Sequence, residues 1–131
     1  MAGLIKSHFD ADVHKKAFDI AMDILAASRS FPPEERYSLT DQIRRCSRSV
    51  CSNFAEAWRK RIYEAAFVSK INDAEAEAAE TQTWIAFAVK SDYLTAEVGR
   101  DLFSRCEEVI RMLVAMRCNT EQWVIENGGS R

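Results

Sequence analysis

The residues that most often carry catalysis are few in this chain, and their spacing favours no reaction. The two histidines, His8 and His14, lie near the amino terminus, and neither follows a glutamate by three positions. A di-metal centre in a helical bundle needs two Glu-x-x-His pairs together with two further glutamates. The chain also has no Gly-rich phosphate loop and no Gly-x-Ser-x-Gly motif. We therefore expect no catalysis, no cofactor and no small-molecule substrate, and we expect both histidines to be exposed.

Four cysteines are the remaining candidate metal ligands, and none of them forms the Cys-x-x-Cys pair typical of zinc and redox sites. They are Cys46, Cys51, Cys106 and Cys118. Cys46 and Cys106 fall on apolar helical stripes, so we expect them to be buried thiols that pack as small hydrophobic side chains. We expect no metal. Residues 1–12 lack the apolar core of a secretory signal, and we expect the protein to be cytoplasmic.

The strongest chemical signal is the distribution of charge along the middle of the chain. Residues 36–61 carry seven basic and two acidic side chains, whereas residues 62–82 carry one basic and five acidic side chains. One interpretation is that the two segments attract each other, within one subunit or between subunits. The other is that the basic residues bind the phosphates of RNA or DNA, although the net charge of −2 provides no overall attraction to nucleic acid. The candidate nucleic-acid-binding residues are Arg44, Arg45, Arg48, Arg59, Lys60 and Arg61.

A row of polar side chains follows one edge of the second apolar stripe, at steps of three and four residues. One interpretation is that these side chains form hydrogen bonds between helices and fix the register of the bundle. The other is that they contact a ligand or a nucleic acid. The row consists of Gln42, Arg45, Ser49, Asn53 and Glu56.

Two aromatic residues of the third apolar segment, Trp84 and Phe87, lie away from its main stripe and share their side with Glu77 and Glu80. Large aromatic side chains in such a position either cover a neighbouring helix or face another subunit. We treat these four residues as the candidate oligomer interface. An acidic surface that meets a basic one suits a contact between two unlike faces, which closes into a ring.

The segments that must position these residues follow a helical period. On the first, Val13, Ala17, Ile20 and Ile24 form a stripe that we expect Phe18, among others, to widen. No glycine or proline lies between Leu39 and Ser91, but an unbroken helix there would be about 75 Å long, so we expect a corner within this segment. We predict a first helix from about Asp10 to Ser28 and a third from about Ile62 to Ser91. The second begins at about Leu39 with Ser38 or Thr40 as its N-cap, and the fourth follows Thr95 as its N-cap.

Four such helices with short connections predict an all-α, antiparallel up-down four-helix bundle. A chain of 131 residues fits a single domain, which we place at residues 1–131 with an ordered core of about 10–118 and a flexible carboxyl-terminal tail. Gly99, in the first turns of the fourth helix, indicates either a close helix contact or a frayed start. No uncharged apolar run is long enough for a membrane helix, and we expect no membrane partner.

A pattern of apolar and polar residues runs from the first connection into the second helix: Phe31-Pro32, Glu35, Tyr37, Leu39, Gln42-Ile43-Arg44-Arg45, Ser49, Asn53 and Ala55-Glu56. With this pattern the chain resembles the four-helix-bundle proteins of the 23S rRNA-intervening sequence family over about residues 13–118. Two positions depart from the family pattern: Ala57 stands where glycine is usual, and Cys51 or Ser52 where proline is frequent. The resemblance implies that the corner after the second helix lies near residues 57–63.

The resemblance implies a homo-oligomer, and for this family a pentamer, with no established activity. It also implies an alternative, because some proteins of the wider group are accessory nucleic-acid-binding proteins of retroelements. We therefore expect a non-catalytic protein whose partner is itself. The alternative is an accessory RNA- or DNA-binding protein that uses the basic residues on and after the second helix.

Overall fold

Apolar residues spaced three and four positions apart build four helices, as the sequence predicts. The computed structural model describes residues 5–125, which form helices and turns without a strand. The first and third helices each pack on the second and fourth, so the first and third lie diagonally opposite in the bundle. The predicted four-helix bundle is confirmed. The helices are α1 (Asp12–Ser28), α2 (Leu39–Arg59), α3 (Glu64–Lys90) and α4 (Ala96–Cys118).

The connection between α1 and α2 is held by one carboxylate. Glu35 accepts hydrogen bonds from the Ser38 hydroxyl at 2.6 Å and from the backbone N–H of Leu39 at 3.3 Å. Ser38 occupies the N-cap position of α2, but its side chain makes no capping bond, and the Thr40 hydroxyl is buried without a partner. The prediction that Ser38 or Thr40 caps this helix with its side chain was wrong: the Ser38 hydroxyl is directed to Glu35, and Thr40 lies inside the first turn.

The corner between α2 and α3 lies where the sequence predicts it. Arg59 ends α2 and Glu64 begins α3, two residues after the expected start at Ile62. The backbone N–H of Tyr63 donates to the carbonyl of Lys60 at 3.0 Å, which closes a tight turn. The carboxyl-terminal segment crosses this corner, since the N–H of Ile125 donates to the carbonyl of Arg61 at 2.9 Å.

The core confirms the predicted burial of two cysteines and corrects the prediction for one histidine. Cys46 and Cys106 are buried, and burial raises the pKa of their thiols to about 11 and about 12. His14, which we expected to be exposed, is only 4% exposed. The short 3-10 turn His8–Asp10 folds back over the start of α1, so that Phe9 covers the His14 ring at a centroid distance of 5.1 Å.

The first turn of α4 is well formed, so Gly99 does not mark a frayed helix start. The Thr95 hydroxyl accepts a hydrogen bond from the N–H of Val98 at 3.1 Å, as predicted for its N-cap. A Cβ atom on Gly99 would lie 2.2 Å from Cγ2 of Val89 on α3. Gly99 therefore marks a close contact between α3 and α4.

One aromatic residue assigned to the core stripe of α1 lies outside it. The Phe18 side chain is 46% exposed, and Met22, one turn further along, is 51% exposed. The apolar residues of α1 are numerous enough to cover two sides of the helix, and periodicity alone does not tell which side meets the core. Within residues 5–125, no helix is long and apolar enough to cross a membrane. The predicted flexible tail, residues 127–131, lies outside the described residues.

Candidate functional site

The six candidate nucleic-acid-binding residues do not form one patch. Arg44, Arg45 and Arg48 lie in the first half of α2, and Arg59 to Arg61 lie at its end. At a rise of 1.5 Å per residue, Arg45 and Arg59 are about 21 Å apart along the helix. The structure therefore divides the basic segment into two groups with different surroundings.

The first group is partly engaged within the bundle. The Arg44 guanidinium donates from Nε to the Ser28 hydroxyl at 2.7 Å, which ties α2 to the end of α1. Arg45 is exposed and lies 4.0 Å from Asp41, one turn earlier on the same helix. Arg48 is exposed. Only Arg45 and Arg48 of this group are therefore placed to meet an external partner.

The second group contains one residue with a structural role. The guanidinium carbon of Arg61 lies 3.6 Å from the centroid of the Trp58 ring, and its Nε donates to the Trp58 carbonyl at 2.7 Å. Burial, and to a smaller extent the charge of Arg59, lowers the pKa of Arg61 from its usual value. Arg59 and Lys60 are exposed, and among the described residues neither has an ion-pair partner. They stand beside the exposed ring of Tyr63.

The polar row lies at the edge of α2 that faces α3, but it makes few bonds between helices. Only Glu56 bridges the two helices, through an ion pair with Nζ of Lys70 at 3.1 Å. The Asn53 amide instead donates to the carbonyl and the hydroxyl of Ser49, at 2.9 and 3.0 Å, on its own helix. A side chain four residues along a helix reaches the preceding turn more easily than a neighbouring helix. The expected hydrogen bonds between helices are therefore limited to Glu56.

A groove of about 480 Å³ runs between α2 and α3 and brings the polar row together with the acidic side of α3. Arg45 and Arg48 lie on one wall, and Glu77 and Glu80 lie on the other. Carboxylates on the opposite wall attract the arginines and repel phosphate, although no ion pair closes between them in the described part of the chain. This arrangement supports the interpretation that the two charged segments attract each other, and it weakens the case for phosphate binding by Arg45 and Arg48. The lining residues are Gln42, Arg45, Cys46, Arg48, Ser49, Ser52, Glu77 and Glu80.

The candidate oligomer interface follows one side of α3, with Glu77 and Glu80 at the groove and Trp84 and Phe87 beyond them. The rings of Trp84 and Phe87 lie 5.6 Å apart, and the Trp84 indole N–H donates to Glu80 at 3.1 Å. Phe87 is 56% exposed, and Trp84 is half-buried. Aromatic side chains at the centre with charged residues beside them are the composition typical of protein–protein interfaces.

A separate cavity of about 630 Å³ opens where the start of α1 meets the end of α4. Its walls are mostly apolar and include Val13, Met116 and Trp123. None of the residues proposed above for binding or assembly lines it. In residues 5–125, no three His, Cys, Asp or Glu side chains are grouped so as to hold a metal ion.

The fold and these surfaces define a four-helix-bundle protein in which the described residues present no arrangement of catalytic groups. The chain belongs to the 23S rRNA-intervening sequence protein family, whose sequence model matches residues 10–115. The resemblance seen in the sequence is therefore confirmed. The function of the family is unknown.

A solved structure supports the same assignment. The chain is similar to a protein of unknown function from the S23 ribosomal protein family of Bacteroides thetaiotaomicron VPI-5482. The two share 25% sequence identity with a TM-score of 0.73, over 80% of this chain and 97% of the other. No curated protein matches the chain.

Proposed function

We propose that this protein is a non-catalytic subunit of a closed homo-oligomer, a ring of five copies, that acts in the cytoplasm. The observation that carries the proposal is the aromatic pair on α3, in which Phe87 is exposed and Trp84 is half-buried. The number five follows from the family resemblance. The cytoplasmic location is supported by the four cysteines, which are all free thiols.

The physical reason is the cost of leaving such a surface in water. Aromatic side chains bury about 150 to 250 Å² each, and burial of apolar surface stabilises a contact by about 25 cal/mol per Å². The hydrogen bond from Trp84 to Glu80 holds the indole in place before any partner arrives. A contact with a fixed aromatic anchor loses less side-chain entropy when it forms.

Light scattering on the purified protein at micromolar concentration tests the assembly. We expect a mass several times the 14.9 kDa of one chain. A mass equal to one chain would refute the proposal.

A second function, binding of RNA or DNA, is supported by the corner between α2 and α3. Arg59 and Lys60 are exposed there without an intramolecular ion pair among the described residues, and Tyr63 next to them is 58% exposed. Cations that contact phosphates beside an aromatic ring on which a base stacks are typical of binding to single strands. Filter binding with single-stranded and structured RNA tests this function.

A further inference from the structure

We infer that the assembly is built from one repeated contact, in which the outer surface of α3 of one copy meets the outer surface of α1 of the next. The α3 surface consists of Glu77, Glu80, Trp84 and Phe87. The α1 surface consists of Lys15, Phe18, Met22 and Arg29. This inference rests on the proposed function. The aromatic pair on α3 needs a surface on the next copy to bind, and the inference identifies that surface.

The α1 surface is a second stripe on a helix that already has a buried one. Lys15, Phe18, Met22 and Arg29 are separated by three, four and seven residues, which places them on one side of the helix. Phe18 and Met22 are half exposed at its centre, and the two basic residues are exposed at its ends. Asp19 is the acidic residue beside it. An apolar centre with charged ends is the composition of an interface.

The charges of the two surfaces are complementary, and none of them is held in an ion pair within the described part of the subunit. Charged residues at the α1–α4 boundary are paired within the bundle, as between Asp23 and Arg105 at 2.8 Å. No ion pair in the described part of the chain involves Lys15, Arg29, Glu77 or Glu80, although Glu77 and Glu80 share a groove with Arg45 and Arg48. The α1 surface thus offers two cations and the α3 surface two carboxylates, and unlike charges favour this pairing over contact of either surface with itself.

The position of the two surfaces suits a head-to-tail contact. Since α1 and α3 occupy diagonal corners of the bundle, their surfaces lie on different sides of the subunit and do not compete for one partner. Successive head-to-tail contacts close into a ring when the rotation at each contact divides a full turn, and this is the geometry that a ring of five requires. Within a subunit α1 and α3 are both antiparallel to α2 and therefore parallel to each other. When neighbouring copies are related by an axis along the bundle, α1 of one copy and α3 of the next also run in the same direction.

The heights of the two surfaces also match. Arg105 of α4 reaches Asp23 of α1, and Gln82 of α3 donates to the Phe103 carbonyl and to Glu107, on either side of Arg105. Met22, next to Asp23, is therefore about level with Gln82 and Trp84.

Lys15 precedes Met22 by seven residues, and Glu77 precedes Trp84 by seven residues. Seven residues are about two helical turns, so Lys15 is about level with Glu77. In a ring whose axis follows the bundle, Met22 of one copy meets Trp84 of the next, and Lys15 meets Glu77.

Complementation between two variants tests this contact. Met22→Glu damages the α1 surface and Phe87→Glu damages the α3 surface, and each variant alone should be a monomer. A mixture of the two should form a dimer of about 30 kDa, twice the 14.9 kDa of one chain, because each variant keeps one intact surface. Phe103→Glu is the control, since Phe103 is an exposed aromatic residue on α4 that lies outside both surfaces. This variant should assemble into the same oligomer as the wild-type protein.

Charge reversal provides a second test with variants outside the core, since Lys15 is exposed and Glu77 is half-buried at the edge of the groove. Lys15→Glu and Glu77→Lys should each weaken the assembly, and the double variant should restore it. Circular dichroism confirms that each variant is helical.

The outcomes separate this inference from the proposed function. A wild-type monomer would refute the proposed function and with it the inference. A wild-type oligomer that survives Met22→Glu, or a mixture that stays monomeric, would overturn the inference and leave the assembly standing. A double charge variant weaker than either single variant would also overturn it.

Discussion

The indole of Trp84 lies against the ring of Phe87, with 5.6 Å between the ring centroids, beside the core stripe of α3 that contains Ile85 and Ala88. Trp84 is half-buried and packs in part against the core of its own subunit, whereas the Phe87 ring is 56% exposed. The hydrogen bond from Trp84 to Glu80 orients the indole along the helix surface. The exposed part of this pair is the surface that we propose to meet another copy.

Replacing Trp84 by alanine should weaken the assembly by about 2 kcal/mol per contact or more, because a central aromatic anchor contributes more than a rim ion pair. Sedimentation over a dilution series measures the change. Tyr37→Ala is a matched control, since Tyr37 is 86% exposed and lies in the connection between α1 and α2, outside both surfaces. An assembly unaffected by Trp84→Ala would place the interface elsewhere.

Replacing Arg59 and Lys60 by serine should lower the affinity for single-stranded RNA. The slope of log affinity against log salt concentration should fall by the amount that corresponds to about two phosphate contacts. Arg45 and Arg48 face the carboxylates of α3, so their replacement by serine should have little effect. Filter binding over a range of salt concentrations compares the two double variants. Binding that is undetectable at low salt, or equal losses in both variants, would remove the corner between α2 and α3 as a nucleic-acid site.

Replacing Gly99 by alanine should destabilise the fold by about 1 to 3 kcal/mol, although alanine is favoured over glycine in a helix by about 1 kcal/mol. The added Cβ would lie 2.2 Å from Cγ2 of Val89, a β-branched side chain with little freedom to move. Urea unfolding measures the change. In a Val89→Ala background the same substitution should become stabilising. Equal effects of Gly99→Ala in both backgrounds would show that this contact is not the cause.

His14 should make the fold sensitive to mild acid. Burial lowers its pKa from the usual value of 6.5, and His8 adds to this effect by repulsion. The contribution of neutral His14 is therefore complete above pH 6.5, and stability falls as the pH drops below that value, because the unfolded chain then binds the proton more readily. Chemical unfolding at pH 7.5 and pH 5.5 measures the loss. A His14→Phe variant should lose less stability over this interval, and an equal loss in both proteins would contradict the burial of a neutral imidazole.

The apolar stripes predict the four helices, and helix length requires a corner between the second and the third, whereas the family resemblance gives the position of that corner. The stripes do not predict that Phe18 faces outward, since a helix with apolar residues on two sides gives no sign of which side meets the core. The burial of His14 depends on the 3-10 turn that places Phe9 over it. A capping box between Ser7 and Asp10 closes this turn, and it is the local signal in the sequence that indicates it.

The charged residues show the same limit. The basic segment is continuous in sequence, but Arg45 and Arg59 lie about 21 Å apart along α2, and Arg61 stacks on Trp58. The spacing of Asn53 and Ser49 allows a bond within α2 as readily as one to α3, and only the structure decides between them.

Native mass spectrometry of the wild-type protein tests the central proposal most directly, because it counts the subunits of each particle. The proposal predicts one dominant species of about 75 kDa, five times the 14.9 kDa of one chain, over a wide range of concentration. A spectrum that contains only the single chain at micromolar concentration, or an open ladder of masses with no preferred number, would contradict a closed ring.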